Sequence, residues 1–247
     1  MKILLVNPPS DHMLTTNLPD FVEEQRGCYP QLGLLYLAAY LRRHSDHEVR
    51  ICDANAGGGY PLLRKTVSDF SPDAVGLQTL TFTLIDVMQC IEIIKRHCPE
   101  TRIILGGPHV NIYPEESLAL NGVDFVVLGE GEVPLLDLLN SINAPEKLRH
   151  VPGLVFRDNG RVVHTGTRPL IENLDALPLP ARELTDTGKY FSPVATHTPV
   201  TTMFTSRGCP FRCVFCDRPH LGKLFRCRSA KSVVDEMQAV RDMGIRE

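Results

Sequence analysis

Short aliphatic runs alternate with helical periodicities along the first 145 residues. The runs are KILLV (2–6), EVRIC (48–52), DAVGL (73–77), RIILG (102–106) and DFVVL (124–128). Between them apolar residues recur at helical spacing over about 31–44, 61–70, 83–98, 114–121 and 132–141. Strands alternating with helices imply βαβ crossovers and a parallel sheet. Near-continuous apolar strands imply a sheet covered on both faces. With right-handed crossovers this gives a doubly wound α/β sandwich with a five-stranded parallel sheet over 1–145.

The pattern then changes. GLVFRDNGRVVHTG reads as two alternating strands around Asp158-Asn159-Gly160, a strong hairpin signal. The next stretch, RPLIENLDALPLPARELTDTGKYFSP, has prolines at 169, 178, 180 and 193 and little periodicity, so it reads as a linker crossing a domain surface. A strand is expected at about 200–205 (VTTMFT), then a cysteine-bearing loop. A helix follows at about 230–243, with Ser229 as its N-cap. The expected plan is a domain at 1–145, a hairpin and linker at 146–199, and the start of a second domain at 200–247.

Composition narrows the class. The 247 residues are 43% hydrophobic, enough for a sizeable core, and the net charge of −3 lacks the basic surplus of a nucleic-acid binder. No apolar run approaches the ~18–20 residues of a membrane span, and MKILLVNPPS is too short in apolar residues for a secretory signal. The reading is a cytoplasmic protein whose eight cysteines are not a disulfide framework. Cys52 and Cys90 read as small buried hydrophobes, Cys28 and Cys98 as loop or helix-end residues, and Cys227 as a structural residue.

In a doubly wound sheet, ligands bind beyond the carboxyl ends of the strands, where the strand order reverses. The residues there are Asn7-Pro8-Pro9, Asp53-Ala54-Asn55, Gln78-Thr79-Leu80-Thr81, Gly106-Gly107-Pro108-His109 and Gly129-Glu130-Gly131-Glu132. They are rich in glycine, proline and small hydroxyls. Gly106-Gly107 would let a large flat ligand approach the backbone. A receiver domain is disfavoured, because the acidic cluster it needs after the first strand is replaced by Asn7-Pro8-Pro9.

The stretch SRGCPFRCVFCDRPHLGK (206–223) carries Cys209, Cys213 and Cys216 spaced C-x3-C-x2-C. Thiolates select zinc, copper(I) and iron–sulfur clusters. A structural zinc wants four ligands. Three cysteines with an open position suit a [4Fe–4S] cluster with one exchangeable site, while zinc, with Cys227 as a fourth ligand, remains an alternative.

With Phe215 before its last cysteine, TSRGCPFRCVFCD resembles the signature of the radical S-adenosylmethionine (SAM) enzymes. The resemblance implies that Cys209, Cys213 and Cys216 hold a [4Fe–4S] cluster on the loop after the first strand of a partial (β/α)6 barrel. SAM would bind the unique iron, Phe215 would pack near its adenine, and an electron from a donor such as a flavodoxin or ferredoxin would release a 5′-deoxyadenosyl radical. Arg226 and Arg228 read as a solvated basic patch, or else as contacts to the cluster loop or to SAM. YPQLGLLYLAAYL, ILGGPHVNIYPEE and FVVLGEGEVPLLDLL resemble the cobalamin-binding domain that precedes many radical SAM modules, whose fold is flavodoxin-like. The resemblance spans about residues 1–243. It implies cobalamin contacts from Asn7, Pro8, Pro9, Thr79, Leu80, Thr81, Gly106, Gly107, Pro108, His109, Gly129, Glu130, Gly131 and Glu132.

The Asp-x-His-x-x-Gly motif that places a histidine under cobalt is missing; NPPSDHMLTTN has Asp11 and His12 adjacent. Cobalamin is therefore expected to bind without an axial histidine, neither His12 nor His109 serving. The implied activity is methyl transfer to, or rearrangement of, an unactivated carbon of a small-molecule substrate. From Val200 there is room for one strand, the loop and one helix, against the about six βα units of such a barrel. The chain is thus expected to bind a corrinoid without turning over SAM by itself, and its last strand and helix to be poorly anchored. A non-catalytic corrinoid-binding module is the alternative.

Overall fold

The computed structural model describes residues 1–13, 26–211, 213–216 and 224–247. In β1 (Lys2–Asn7), Ile3 and Leu5 enter one apolar layer, and Leu4 and Val6 the other. Successive strand residues face opposite sides, so a strand apolar at every position needs helices above and below it.

The helices supply both layers. One face is covered by α1 (Leu32–His44), through Leu34, Ala38 and Leu41. The other is covered by α2 (Gly59–Phe70) and α3 (Leu84–His97), through Leu63, Val67, Val87 and Ile94, then by the short α4 (Pro108–Ile112) and α5 (Pro114–Ala119). Helix α6 (Glu132–Ser141) returns to the α1 face through Leu135 and Leu138, and α7 (Pro145–Leu148) follows it. Cys52 and Cys90 are buried in the second layer, as expected. Burial pushes the Cys52 thiol up to about 11, which leaves it unreactive.

Strands β1, β2 (Glu48–Asp53), β3 (Ala74–Gln78), β4 (Arg102–Gly106) and β5 (Phe125–Val127) are all parallel, in the order β2-β1-β3-β4-β5. The sheet does not stop there. β6 (Leu154–Asp158) runs antiparallel to β5, and β7 (Arg161–His164) antiparallel to β6, making seven strands. The hairpin that the sequence reading set apart with the linker is therefore part of the first sheet. The physical reason is the outer edge of β5, whose peptide groups would otherwise lack partners. Phe156 opposite Phe125, ring centroids 6.2 Å apart, reinforces the pairing. Asn159 and Gly160 both have positive φ, 49° and 78°, as a tight two-residue turn requires.

The proline-rich segment folds back over α1. The Ala181 N–H donates to Leu35 O at 3.2 Å, and Phe191 pairs with Cys28. The Tyr190 hydroxyl reaches Asp53 at the end of β2, 2.9 Å away.

Residues 200–205 form no strand. Pairing begins at β8 (Ser206–Arg207), which meets β9 (Arg226–Cys227) antiparallel. The expected strand is thus displaced to the stem of the cysteine loop. Cys227 lies in β9, opposite Ser206, and is exposed. The last helix, α8 (Ala230–Asp242), starts where expected, with Ser229 Oγ accepting the Ser232 N–H at 3.1 Å. It is anchored better than expected. Glu236, fully buried on α8, is ion-paired with Arg182 at 2.6 Å and with Arg228. Only the outer face, with Val234 and Met237, stays exposed. No helix among the described residues is long and apolar enough to cross a membrane.

Candidate functional site

The strand order reverses between β1 and β3. A cavity of about 470 Å³ opens beside that point, at the carboxyl ends of β3, β4 and β5. It dips between the sheet and the helices α1 and α6, lined there by Leu5, Leu34, Leu37, Ile104 and Leu135. The size lies within the range of small-molecule sites. Six glycines line it: Gly33, Gly76, Gly106, Gly107, Gly129 and Gly131.

The glycines have different reasons to be there. Gly107 has φ +108°, and a Cβ on it would stand 3.0 Å from Thr79 O. It is fixed by the backbone, because the loop after β4 lies against the loop after β3, with the Thr79 N–H donating to Gly106 O at 2.7 Å. Gly107→Ala is expected to destabilise the protein by about 1–3 kcal/mol, read as a lowered urea midpoint at constant m. At Gly106 the nearest atom to an added Cβ is 3.9 Å away, and at Gly33 none lies within 4 Å. Packing does not require these two to be glycine; they keep a surface of the cavity free of side chains.

The polar groups are few. Gln78, at the end of β3, donates to the Gln31 side-chain oxygen at 3.0 Å, and its own buried Oε1 has no partner. Asn111 ties two rim loops together: its amide donates to Gly107 O and its oxygen accepts the Gly129 N–H, both at 2.8 Å. The far wall is Thr202, Met203, Phe204 and Arg207, the segment that runs into the cysteine loop.

Seven of the fourteen predicted rim residues line the cavity: Gly106, Gly107, Pro108, Gly129, Glu130, Gly131 and Glu132. The others serve the rim from behind. Asn7 is buried and donates to Asp53 at 2.7 Å, and Pro8 and Pro9 are buried beside it. Thr79 is fully buried and accepts the His109 N–H at 3.1 Å, while Leu80 and Thr81 lead into a turn. His109 is buried with Nδ1 at 3.1 Å from Thr81 Oγ1; burial holds its pKa below the ordinary value. His12 is turned onto the buried Asp86 at 2.9 Å, which also accepts the Tyr60 hydroxyl. Neither histidine lines the cavity.

Glu130 and Glu132 are not open to solvent. Arg207 reaches Glu132 at 2.6 Å and Glu130 at 3.2 Å, and Arg226 reaches Glu130 at 2.8 Å, all four side chains being 6% exposed or less. The Ile171 N–H also donates to Glu130, at 2.7 Å. Arg226 and Arg228 are therefore not a solvated patch; their side chains are buried ion-pair partners, of Glu130 and Glu236 respectively. Arg226 meets Glu130, about a hundred residues earlier in the chain, while Arg228 meets Glu236 only eight residues later, on the helix that follows. Burial raises the Glu130 carboxyl, but hydrogen bonds from Arg226, Ile171 and Arg207 outweigh it, so the pKa falls below its ordinary 4.5. A depressed carboxyl stabilises the fold above its unfolded pKa and loses that contribution as pH falls through the folded one. Acid titration is expected to weaken this junction only below about pH 4.5. Hydrogen exchange at residues 205–208 and 225–228 would show it.

Cys209 is half-buried; Cys213 and Cys216 are exposed, as is Phe215 at 89%. Arg212 and 217–223 of the predicted signature lie outside the described residues. Among the described residues, no three His, Cys, Asp or Glu are gathered as a metal site. Chemically the three thiols of one loop fit a soft metal or an iron–sulfur cluster.

Residues 20–139 match the family model of the B12 binding domain. Over that span the chain is similar to the B12 binding domain. Within reach of that span lies the glycine-lined cavity, with the orphaned amide oxygen of Gln78 at its edge. An uncharacterized methyltransferase of Pyrococcus horikoshii is 35% identical over 251 residues, covering 100% of this chain and 52% of that protein. Cytidylyl-2-hydroxyethylphosphonate methyltransferase of Streptomyces wedmorensis is 31% identical, covering 98% of this chain and 52% of its own length. The anaerobic magnesium-protoporphyrin IX monomethyl ester cyclase of Rubrivivax gelatinosus is 28% identical, covering 97% and 42%. The chain thus spans about half the length of the curated relatives it matches. The cobalamin-dependent SAM radical enzyme OxsB, solved with aqua-cobalamin and SAM bound, superposes with a TM-score of 0.79 at 23% identity, over 99% of this chain and 32% of that one. The radical SAM methyltransferase TsrM of Kitasatospora setae superposes at 0.69 and 20% identity, over 99% and 46%. The fold of the whole chain, including the segment after residue 145, is shared with these enzymes.

Proposed function

We propose that this chain is the cofactor-binding front portion of a cobalamin-dependent radical SAM enzyme. In this reading the corrinoid lies over the carboxyl edge of the sheet, with part of it in the cavity. Cys209, Cys213 and Cys216 hold a [4Fe–4S] cluster whose open iron takes SAM, with Phe215 beside the adenine. The two cofactors together supply radical formation and methyl delivery, or a radical rearrangement, at an unactivated carbon of a small molecule. The chain's own residues shape the site. Gly33 and Gly106 leave room for the corrin and its substituents, Gln78 offers a polar contact, and Met203 and Phe204 exclude water from the far wall. No histidine stands under the cobalt, since His12 is committed to Asp86 and His109 to the loop after β3.

The observation that carries the reading is the wall shared by the glycine-lined cavity and the stem of the cysteine loop. The test is anaerobic reconstitution of the 247-residue chain with iron, sulfide and hydroxocobalamin, followed by desalting. Retained corrinoid absorbance together with iron and labile sulfide near four per chain is expected. Replacing the three cysteines by alanine should remove the iron and spare the corrinoid. Zinc in place of iron would sink the cluster assignment. Retained corrinoid with no iron would leave the corrinoid-binding module as the correct description. A Co(II) EPR spectrum carrying nitrogen hyperfine structure that vanishes in His12→Ala or His109→Ala would refute histidine-free binding.

A further inference from the structure

We propose that occupancy of the cavity and loading of the cysteine loop are thermodynamically coupled, and that Arg207 is the positioning residue that couples them. The inference rests on the reading above, in which the cavity takes a corrinoid and the loop a [4Fe–4S] cluster.

Arg207 belongs to both places. Its side chain lines the cavity, and its backbone stands two residues before Cys209, paired with Arg226 at the base of the loop. The carboxylates that hold it, Glu132 at 2.6 Å and Glu130 at 3.2 Å, also line the cavity. The other stem of the loop meets the same floor, since Arg226 reaches Glu130 at 2.8 Å and Ile171 O at 2.6 Å. Both stems are thus clamped to the segment that opens α6. The adjoining wall is fixed likewise: Arg182 donates to Thr202 O at 2.7 Å and Arg228 to Phe204 O at 3.1 Å. Phe204 stacks on Tyr36, and Arg207 stands over the same ring at 5.2 Å.

A planar guanidinium held by two carboxylates and a ring face has few alternative poses. A ligand that displaces Glu132, Glu130 or Phe204 therefore moves the backbone that presents Cys209. Cys213 and Cys216 are exposed, so a ligand that they bind would add to their ordering. By linkage, whichever ligand binds first lowers the ordering cost for the second, by the same factor in either order.

The test measures hydroxocobalamin affinity, by anaerobic absorbance titration, on the iron-free chain and on the chain carrying an oxidised cluster. Wild-type protein should bind at least about fivefold more tightly when the cluster is present. The EPR line shape of the reduced cluster, recorded in separate samples, should change when corrinoid is bound. In Arg207→Met both cofactors should still bind while the affinity ratio falls to about one; Arg207→Lys should restore part of it. If Arg207→Met fails to fold by circular dichroism, the neutral pair Glu132→Gln/Arg207→Gln replaces it with the same expectation. A wild-type ratio of one with both cofactors bound overturns the coupling alone. A wild-type ratio that survives in the Arg207 variants overturns the role of Arg207. Failure of either cofactor to bind overturns the coupling together with the proposed function.

Discussion

Replacing Gly33 by leucine is expected to leave the protein folded, and as stable or more so, while weakening hydroxocobalamin binding by at least about tenfold. Gly33 sits in the first turn of a 13-residue helix, where glycine costs up to about 1 kcal/mol relative to good helix formers. Among the described residues no packing explains that cost, since a Cβ there meets no atom within 4 Å. The space is continuous with the cavity, so the leucine side chain would occupy volume that the ligand needs. Stability and affinity should therefore move in opposite directions. A parallel fall in both would show that the glycine serves packing after all. The corresponding change at Gly107 is no control for this, because there the backbone itself forbids the side chain.

Removing the Glu236 carboxylate should have the largest effect on stability. Glu236→Ala leaves Arg182 and Arg228 buried and facing each other without their shared partner. Breaking a buried pair from one side costs about 3–5 kcal/mol, because the stranded charge cannot regain its water. Here two cations are stranded. Their remaining bonds, from Arg182 to Thr202 O and from Arg228 to Phe204 O and Ser232, are to neutral acceptors. The urea midpoint should drop sharply, and exchange protection should be lost first along α8 and residues 200–205. Replacing Arg182, Arg228 and Glu236 together by apolar residues of similar volume should recover most of the loss. If Glu236→Ala alone costs less than about 1 kcal/mol, the anchoring of α8 is carried by something other than this cluster.

The parallel core was legible because each strand announces itself locally. After their leading Lys2 and Arg102, KILLV and RIILG carry unbroken apolar runs, which a sheet covered on both faces explains. The hairpin was legible in Asp158-Asn159-Gly160, but its destination was not. Whether it pairs with β5 depends on the exposed edge of a three-residue strand, a property of the assembled sheet. The site divided in the same way. Glycine and proline after the strands marked the rim, yet half of the marked residues brace it from behind, as Asn7 and Thr79 do, and do not touch the cavity. Gln31, Gly33 and Phe204 were missed because they come from a helix start and from the run expected to be a strand at 200–205. A period-based reading assigns no role to either place. The opposite error befell Arg226 and Arg228. Charge in a polar run reads as solvent-facing until its partners are known, Glu130 far back in the chain for Arg226 and Glu236 on the next helix for Arg228.

The seven-stranded sheet has a consequence for anyone dissecting the molecule. A recombinant fragment ended at residue 145, where the parallel pattern stops, would strip β6 from β5 and expose a flat, apolar edge made of Phe125, Val126 and Val127. Such edges recruit other chains. The shortest soluble corrinoid-domain fragment should therefore run past Gly166, whose carbonyl accepts the Gly153 N–H at 2.9 Å and closes the hairpin.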